Sequence, residues 1–410
     1  MRFICQGLFL LFDFTQRGID MISLEKAKQL APGYKLVPIS REILSDVRTP
    51  IEVLRILKTV SSHCYMLESV EKQKKWGRYT FLGFDPKLEI TCTDGVMTIK
   101  DGNDVKTFET KRPDKEIAKI MQEYTSPKVE GLPTFTGGLV GYFSYDYVKY
   151  SEPKLNLDAE DVEHFKDVDL MLFDNVIAFD NLKQKIFVIA NAKTDDLENE
   201  YARCIEQIDK IVDLIHNGTP EKIVPGKITS PFRALFSEEK YCEMVEKAKK
   251  YIYEGDIFQV VLSNRLEADY EGSLFNVYRH LRTINPSPYM FYFSSDDIEV
   301  AGASPETLVK LENGVLHTFP LAGTRPRGKT KEEDDALEKE LLSNEKERAE
   351  HNMLVDLGRN DLGKISEFGT VKVEKYMSIE RYSHVMHIGS TVAGKLDKSK
   401  SYMDAVGSVL

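Results

Sequence analysis

A chain of 410 residues, 42% hydrophobic and 30% charged, has enough apolar material for two domains or one large one, which argues against a wholly disordered polypeptide. Its formal net charge of −11 argues against a general binder of nucleic acid or anionic membrane, so an anionic substrate would have to be met by locally placed cations or a metal ion. Cysteines at 5, 64, 92, 204 and 242 are odd in number and show no CxxC pairing; neither a disulfide framework nor a zinc site is indicated, and a reducing cytoplasm is the expected setting.

The apolar run from Gly7 to Phe12 is a poor signal peptide, being short, broken by Asp13 and followed by no small-residue cleavage site. Residues 1–20 therefore read as an extension to the native fold, disordered or loosely docked, with Met21 as an alternative start. No stretch reaches transmembrane length. A short helical pattern covers 23–30 and a clearer one 50–60, where Ile51, Leu54, Ile56 and Leu57 mark an apolar face. Tyr65-Met66-Leu67 reads as a buried strand that ends at Glu68-Ser69. Strands at 87–92 and 96–100 flank Asp94-Gly95, a hairpin dipeptide. The run Gly137-Gly138-Leu139-Val140-Gly141-Tyr142 lacks the Lys-Ser/Thr of a phosphate loop and the spacing of the dinucleotide fingerprint, and its glycines read as positions where sheets pack closely. Strands at 168–173, 175–179 and 185–190 precede a helix over 196–217 with Tyr201, Ile205, Ile208, Val212 and Ile215 at helical spacing. Residues 218–236, holding three prolines and two glycines, form the expected linker.

Beyond the linker, Ser237 caps a helix that Gly255 stops. A strand over 256–266 is expected to put Phe258, Val260 and Leu262 on one face and Gln259 on the other, toward a cleft. A helix over 274–282, the loop Asn285-Pro286-Ser287-Pro288 and a strand over 289–293 lead to a hairpin whose arms, 307–312 and 315–318, flank Asn313-Gly314. Extending that ladder to its open end pairs Glu306 with Leu321 and Ala303 with Thr324, gathering Gly302, Glu306, Gly323 and Thr324 at one mouth where glycine lets the backbone approach a ligand. A charged helix over 331–342 follows, and Ser343 is expected to cap the next. In that helix Glu347, Glu350 and Leu354 share a face, so a carboxylate lies beside an apolar stripe and is paired, metal-bound or protonated. In the last strand, 382–393, Val385, His387, Gly389 and Thr391 share a face; alone, His387 reads as a hydrogen-bonded structural residue.

Seven ordered motifs, LES at 67–69, GDIFQVVLS at 255–263, NPSPYMF at 285–291, GASPE at 302–306, PLAGTRPRG at 320–328, ERAEHNMLVDLGRNDL at 347–362 and RYSHVMH at 381–387, resemble those of the chorismate-utilising enzymes, most closely the large component of anthranilate synthase. The resemblance implies an α+β fold of two stacked, mainly antiparallel sheets with peripheral helices. It implies a β-rich regulatory domain over 21–217 and a chorismate-binding catalytic domain over 237–410. It further implies Mg²⁺, ammonia from a glutamine amidotransferase subunit in a heterotetramer, and L-tryptophan as feedback inhibitor. Carried over by position, Glu350 would be a Mg²⁺ ligand, Gly323 and Thr324 would contact chorismate, and Glu306 and His387 would be the catalytic pair. Isochorismate and salicylate synthases carry a lysine where Gln259 stands, and aminodeoxychorismate synthases usually one where Ala322 stands, so ammonia attack at C2 is favoured over those alternatives. Tryptophan would lie between Glu68-Ser69 and a loop that includes Asn285, Pro288, Tyr289 and Met290. Relatives continue into segments with further substrate and metal ligands. These 410 residues are therefore expected to be an inactive, C-terminally truncated catalytic chain, with a non-catalytic tryptophan- or partner-binding fragment as the alternative.

Overall fold

The computed structural model describes residues 19–20, 22–69, 77–157, 159–382 and 384–410. The extension read over 1–20 lies outside them apart from Ile19–Asp20, which pairs with Glu42 and Arg41 at a sheet edge. Helix Pro50–Leu57 begins where Thr49 accepts from the Glu52 amide, and it buries Val53, Leu54, Ile56 and Leu57. Helix Leu197–Asn217 buries Cys204, Ile208, Ile211 and Ile215. Their three- and four-residue spacing turns one stripe toward strand Lys185–Lys193. Burying each isoleucine there contributes roughly 2 kcal/mol.

All strand pairings are antiparallel, and three sheets carry the fold, as the α+β expectation has it. The largest has eight strands, in the order Ile19–Asp20, Leu36–Leu44, Lys185–Lys193, Asn175–Asp180, Tyr79–Phe84, Cys64–Glu68, Tyr289–Ser294 and Glu299–Ser304. Strands from both sides of residues 218–236 thus share one sheet. A five-stranded sheet runs from Asp104–Glu109 through Val96–Asp101, Leu88–Thr93 and Val168–Phe173 to Gly138–Phe143. The third is built on Val385–Lys395, which pairs along one side with Val315–Thr318 and Leu321–Pro326 and along the other with Lys372–Arg381. Among the described residues no helix is long and apolar enough to cross a membrane.

Gly137 stands where two sheets meet closely, as read, since a Cβ there would lie 2.7 Å from Asn191 Nδ2, whereas Gly141 is pressed against its own neighbouring strand. A Cβ on Gly141 would lie 1.9 Å from the Asp169 carbonyl oxygen at a φ of +157°. Gly141→Ala is expected to cost more than about 4 kcal/mol; urea denaturation, or loss of soluble protein, measures it.

Three local expectations are corrected. The hairpin at Asn313-Gly314 forms with Glu312 opposite Val315, but its ladder ends at Lys310 opposite His317. Glu306 therefore does not face Leu321. Instead Ala303 pairs with Met290 and Thr324 with His387, because residues 299–304 complete the large sheet while 321–326 join the third. The strand expected over 256–266 is absent except for Leu266–Glu267. Its alternation needs a packed layer, and none covers it here: Phe258 is 90% and Val261 85% exposed. Gln259 lies in this segment and is exposed rather than turned into a cleft. Finally, Asn344, not Ser343, caps helix Glu345–Gly363, accepting from the Glu347 amide.

Candidate active site

The centre of the third sheet brings together Gly323, Thr324 and His387. Between Ala322, which pairs with Ile388, and Thr324, which pairs with His387, the register shifts by one residue. That bulge falls on Gly323, whose φ of +68° suits a residue without a side chain. Helix packing adds a second reason for glycine, since a Cβ would meet Glu347 Oε2 and Leu341 Cδ1, each at 3.1 Å. The bulge turns the Gly323 carbonyl toward His387 Nδ1 at 3.1 Å, with Thr324 Oγ1 at 3.0 Å from the same nitrogen. A carbonyl only accepts, so Nδ1 carries the proton and Nε2 is left to exchange one with a ligand. Tyr382 packs edge-on against the imidazole with ring centres 5.5 Å apart. Thr324 is exposed and His387 half-buried, so the pair opens to solvent. Ala322 is buried beside them.

Arg325 braces this strand. Its Nη2 donates to Glu340 Oε1 at 2.8 Å and its Nη1 to Glu347 Oε1 at 3.2 Å, tying helices Lys331–Ser343 and Glu345–Gly363 to it. Glu350, one turn beyond Glu347, is half-buried and makes no ion pair among the described residues. Glu306 is exposed, so the burial expected of a catalytic acid is not supplied by these residues. A cavity of about 280 Å³ is lined by Pro288 and Tyr289 from the loop and by Thr307, Leu321, Tyr382 and Gly389 from around the third sheet. Tyr289 Oη and Thr307 Oγ1 are 2.5 Å apart across it. A larger cavity of about 820 Å³ opens elsewhere, beside Lys111, Tyr150 and Met403, and none of the candidate site residues lines it.

The residues read as an inhibitor site cluster around the strand pair 64–68 and 289–294, where Met290 lies opposite Glu68. Glu68 is buried and already engaged, accepting from Arg282 through Nε and from Nη2 at 2.8 Å, and from Tyr278 Oη at 2.5 Å. Asn285 ends helix Leu274–Ile284, and Ser69 Oγ is buried with no hydrogen-bond partner among the described residues. Sequence reasoning missed Tyr278 and Arg282, although their i, i+4 spacing on an amphipathic helix was available as a signal.

That helix is anchored at its start by Glu299, whose carboxylate accepts from Ser273 Oγ at 2.7 Å, the Leu274 amide at 2.6 Å and Lys58 Nζ at 3.0 Å, and from Tyr292. Burial alone would raise its proton affinity, but these donors outweigh it and hold the carboxyl below its ordinary value. A carboxyl depressed in the fold stabilises it above the unfolded value of about 4.3 and loses that contribution as pH falls through the folded one. Acid titration of the unfolding midpoint should therefore be steeper below about pH 4.3 in the parent than in Glu299→Gln.

The description chorismate binding enzyme matches residues 62–410, and the chain belongs to that family. Among curated relatives, anthranilate synthase component 1 of Acetivibrio thermocellus is 42% identical over 397 residues, 95% of this chain and 80% of that protein. Its counterpart in Acinetobacter calcoaceticus is 44% identical over 389 residues, 92% of this chain and 78% of that protein. The crystal structure of anthranilate synthase component I from Streptococcus pneumoniae superposes with a TM-score of 0.72 at 33% identity, covering 90% of this chain and 79% of that one. The isochorismate synthase MenF of Escherichia coli, at 16% identity and a TM-score of 0.60, shares the fold.

Proposed function

We propose that this chain is the chorismate-converting component of an anthranilate synthase, a lyase of tryptophan biosynthesis acting in the cytoplasm. The observation that carries this is the high-coverage likeness to enzymes of that name, in a chain whose Gly323, Thr324 and His387 meet at one bulge. Ammonia, delivered by a glutamine amidotransferase subunit, adds at C2 of chorismate as the C4 hydroxyl leaves with a proton. Loss of the C2 proton and of pyruvate then restores the aromatic ring. Thr324 and the Gly323 backbone hold the substrate, and His387, whose Nδ1 is the nitrogen engaged by them, is placed to accept or return a proton at Nε2. Glu306 is the acid for the departing hydroxyl. Mg²⁺, when bound, supplies positive charge against a substrate carboxylate. Glu350 suits it as a half-buried oxygen donor with no competing ion pair among the described residues. Gln259 cannot activate water as a lysine would, which supports ammonia as nucleophile.

Incubation with chorismate, ammonium and Mg²⁺ tests the reading against the inactivity expected from the sequence: blue anthranilate fluorescence is expected, whereas isochorismate or aminodeoxychorismate as product would overturn it. The exposure of Gln259 and Glu306 favours a second reading, a chain that binds ligand without turnover. Tryptophan binding by calorimetry in the absence of any product would select it.

For the inhibitor, the hydroxyl of Ser69, unpartnered among the described residues, and the apolar wall of Pro288, Tyr289 and Met290 support tryptophan at this place. Its ammonium would compete with Arg282 for Glu68. Ser69→Leu is expected to weaken tryptophan binding about tenfold or more, by lost hydroxyl and added bulk. Unchanged binding refutes the placement.

A further inference from the structure

The structure assigns a second function to the chain, and we propose that His63, Glu89 and Asp296 form a zinc-type metal site. The residues come from the segment before strand Cys64–Glu68, from strand Leu88–Thr93 and from the turn between Tyr289–Ser294 and Glu299–Ser304. Their ligand atoms all lie within 4.8 Å of one another. His63 Nε2 is 3.3 Å from Glu89 Oε2 and 3.6 Å from Asp296 Oδ2. Ligands about 2.0–2.2 Å from a tetrahedral ion stand about 3.3–3.6 Å apart, so two of these edges are already at metal-binding length.

Proton bookkeeping supports a cation there. Ser62 Oγ donates its one proton to Asp296 Oδ1 at 3.0 Å, so at 3.1 Å from His63 Nδ1 it can only accept. Nδ1 thus carries the proton of the neutral ring, and the Nε2 lone pair faces two carboxylates. That nitrogen is buried without a hydrogen-bond partner among the described residues, on a side chain 12% exposed. Lone pair against carboxylate is repulsive until a positive charge sits between them, and Ser62 orients imidazole and carboxylate together as an outer partner of a metal site does. Lys100 Nζ lies 2.8 Å from Glu89 Oε1, the other oxygen of that carboxylate, and 3.9 Å from Asp296 Oδ2, offsetting part of the charge on both carboxylates. One imidazole and two carboxylates favour Zn²⁺ over Mg²⁺ or Ca²⁺ and leave a fourth position for water. The bound ion would join the eight-stranded sheet and the sheet of strand Leu88–Thr93 to the turn behind strand Tyr289–Ser294. No cysteine takes part, so cysteine spacing gave no sign of it.

Calorimetry with ZnCl₂ decides the matter, performed on the full chain with the exposed Cys242 replaced by serine. One equivalent of Zn²⁺ should bind and raise the unfolding midpoint. His63→Gln and Glu89→Gln should each weaken binding about tenfold or more, and Lys100→Met should tighten it several-fold. Co²⁺ in place of Zn²⁺ should give visible bands of a four- or five-coordinate ion without thiolate charge transfer. The proposal fails if His63→Gln binds Zn²⁺ as the parent does, or if neither the parent nor Lys100→Met binds it; in that case a proton on Nε2 supplies the positive charge.

Discussion

Replacing His387 with alanine is expected to lower kcat for anthranilate formation by about 10²–10⁴-fold, the range for loss of a positioned proton-transfer group. The Gly323 carbonyl and Thr324 Oγ1 both address Nδ1, at 3.1 and 3.0 Å, so the fold fixes which nitrogen is offered to substrate. Half-buried His387 adds little to the core, and the unfolding midpoint of the variant should stay near that of the parent. Thr324→Val tests positioning separately. It keeps the imidazole and the carbonyl bond but removes the hydroxyl, so a loss of roughly tenfold, smaller than that of His387→Ala, is expected. If His387→Ala kept kcat within a few-fold, the proton-transfer role would be wrong and the histidine would be structural.

A large stability effect is also expected at Glu68. Its side chain is 4% exposed and serves as acceptor for the Arg282 guanidinium and the Tyr278 hydroxyl, which join strand Cys64–Glu68 to helix Leu274–Ile284. Glu68→Ala strands a partly buried cation, and Arg282→Ala strands a buried carboxylate; each should cost about 3 kcal/mol. Removing both leaves no uncompensated charge, so the Glu68→Ala/Arg282→Ala double variant should lose clearly less than the sum. Urea denaturation of the four proteins gives the cycle, and strict additivity would show that the pair contributes nothing as a pair. Because Glu68 is also the carboxylate proposed to meet the tryptophan ammonium, tryptophan binding should weaken in Glu68→Ala.

Much of the architecture was legible because it rests on local physics. The cap at Ser237 and the left-handed Gly255 bracket helix Glu238–Glu254 as read. Asp94-Gly95 and Asn313-Gly314 both take positive φ in tight turns, since residues of this type tolerate that conformation. The stripe along 197–217 could be read from spacing alone. The failures share a different origin. Extending the 310–318 ladder toward Leu321 assumed that neighbours in sequence stay neighbours in the sheet, yet residues 299–304 belong to the eight-stranded sheet while 315–318 and 321–326 both run alongside Val385–Lys395. Reading 256–266 as a strand assumed a partner layer that its alternation cannot supply.

By itself the sequence determined the helix caps and the turns, because each is encoded in residues near one another along the chain, and its ordered motifs carried the resemblance that implied the α+β fold and chorismate. Only the tertiary structure decided that Thr324 faces His387 across a bulge, that Glu68 belongs to Arg282 and Tyr278, and that His63 looks at two acids. Those pairings join residues tens to hundreds of positions apart, and side-chain chemistry alone does not specify which distant strand arrives alongside.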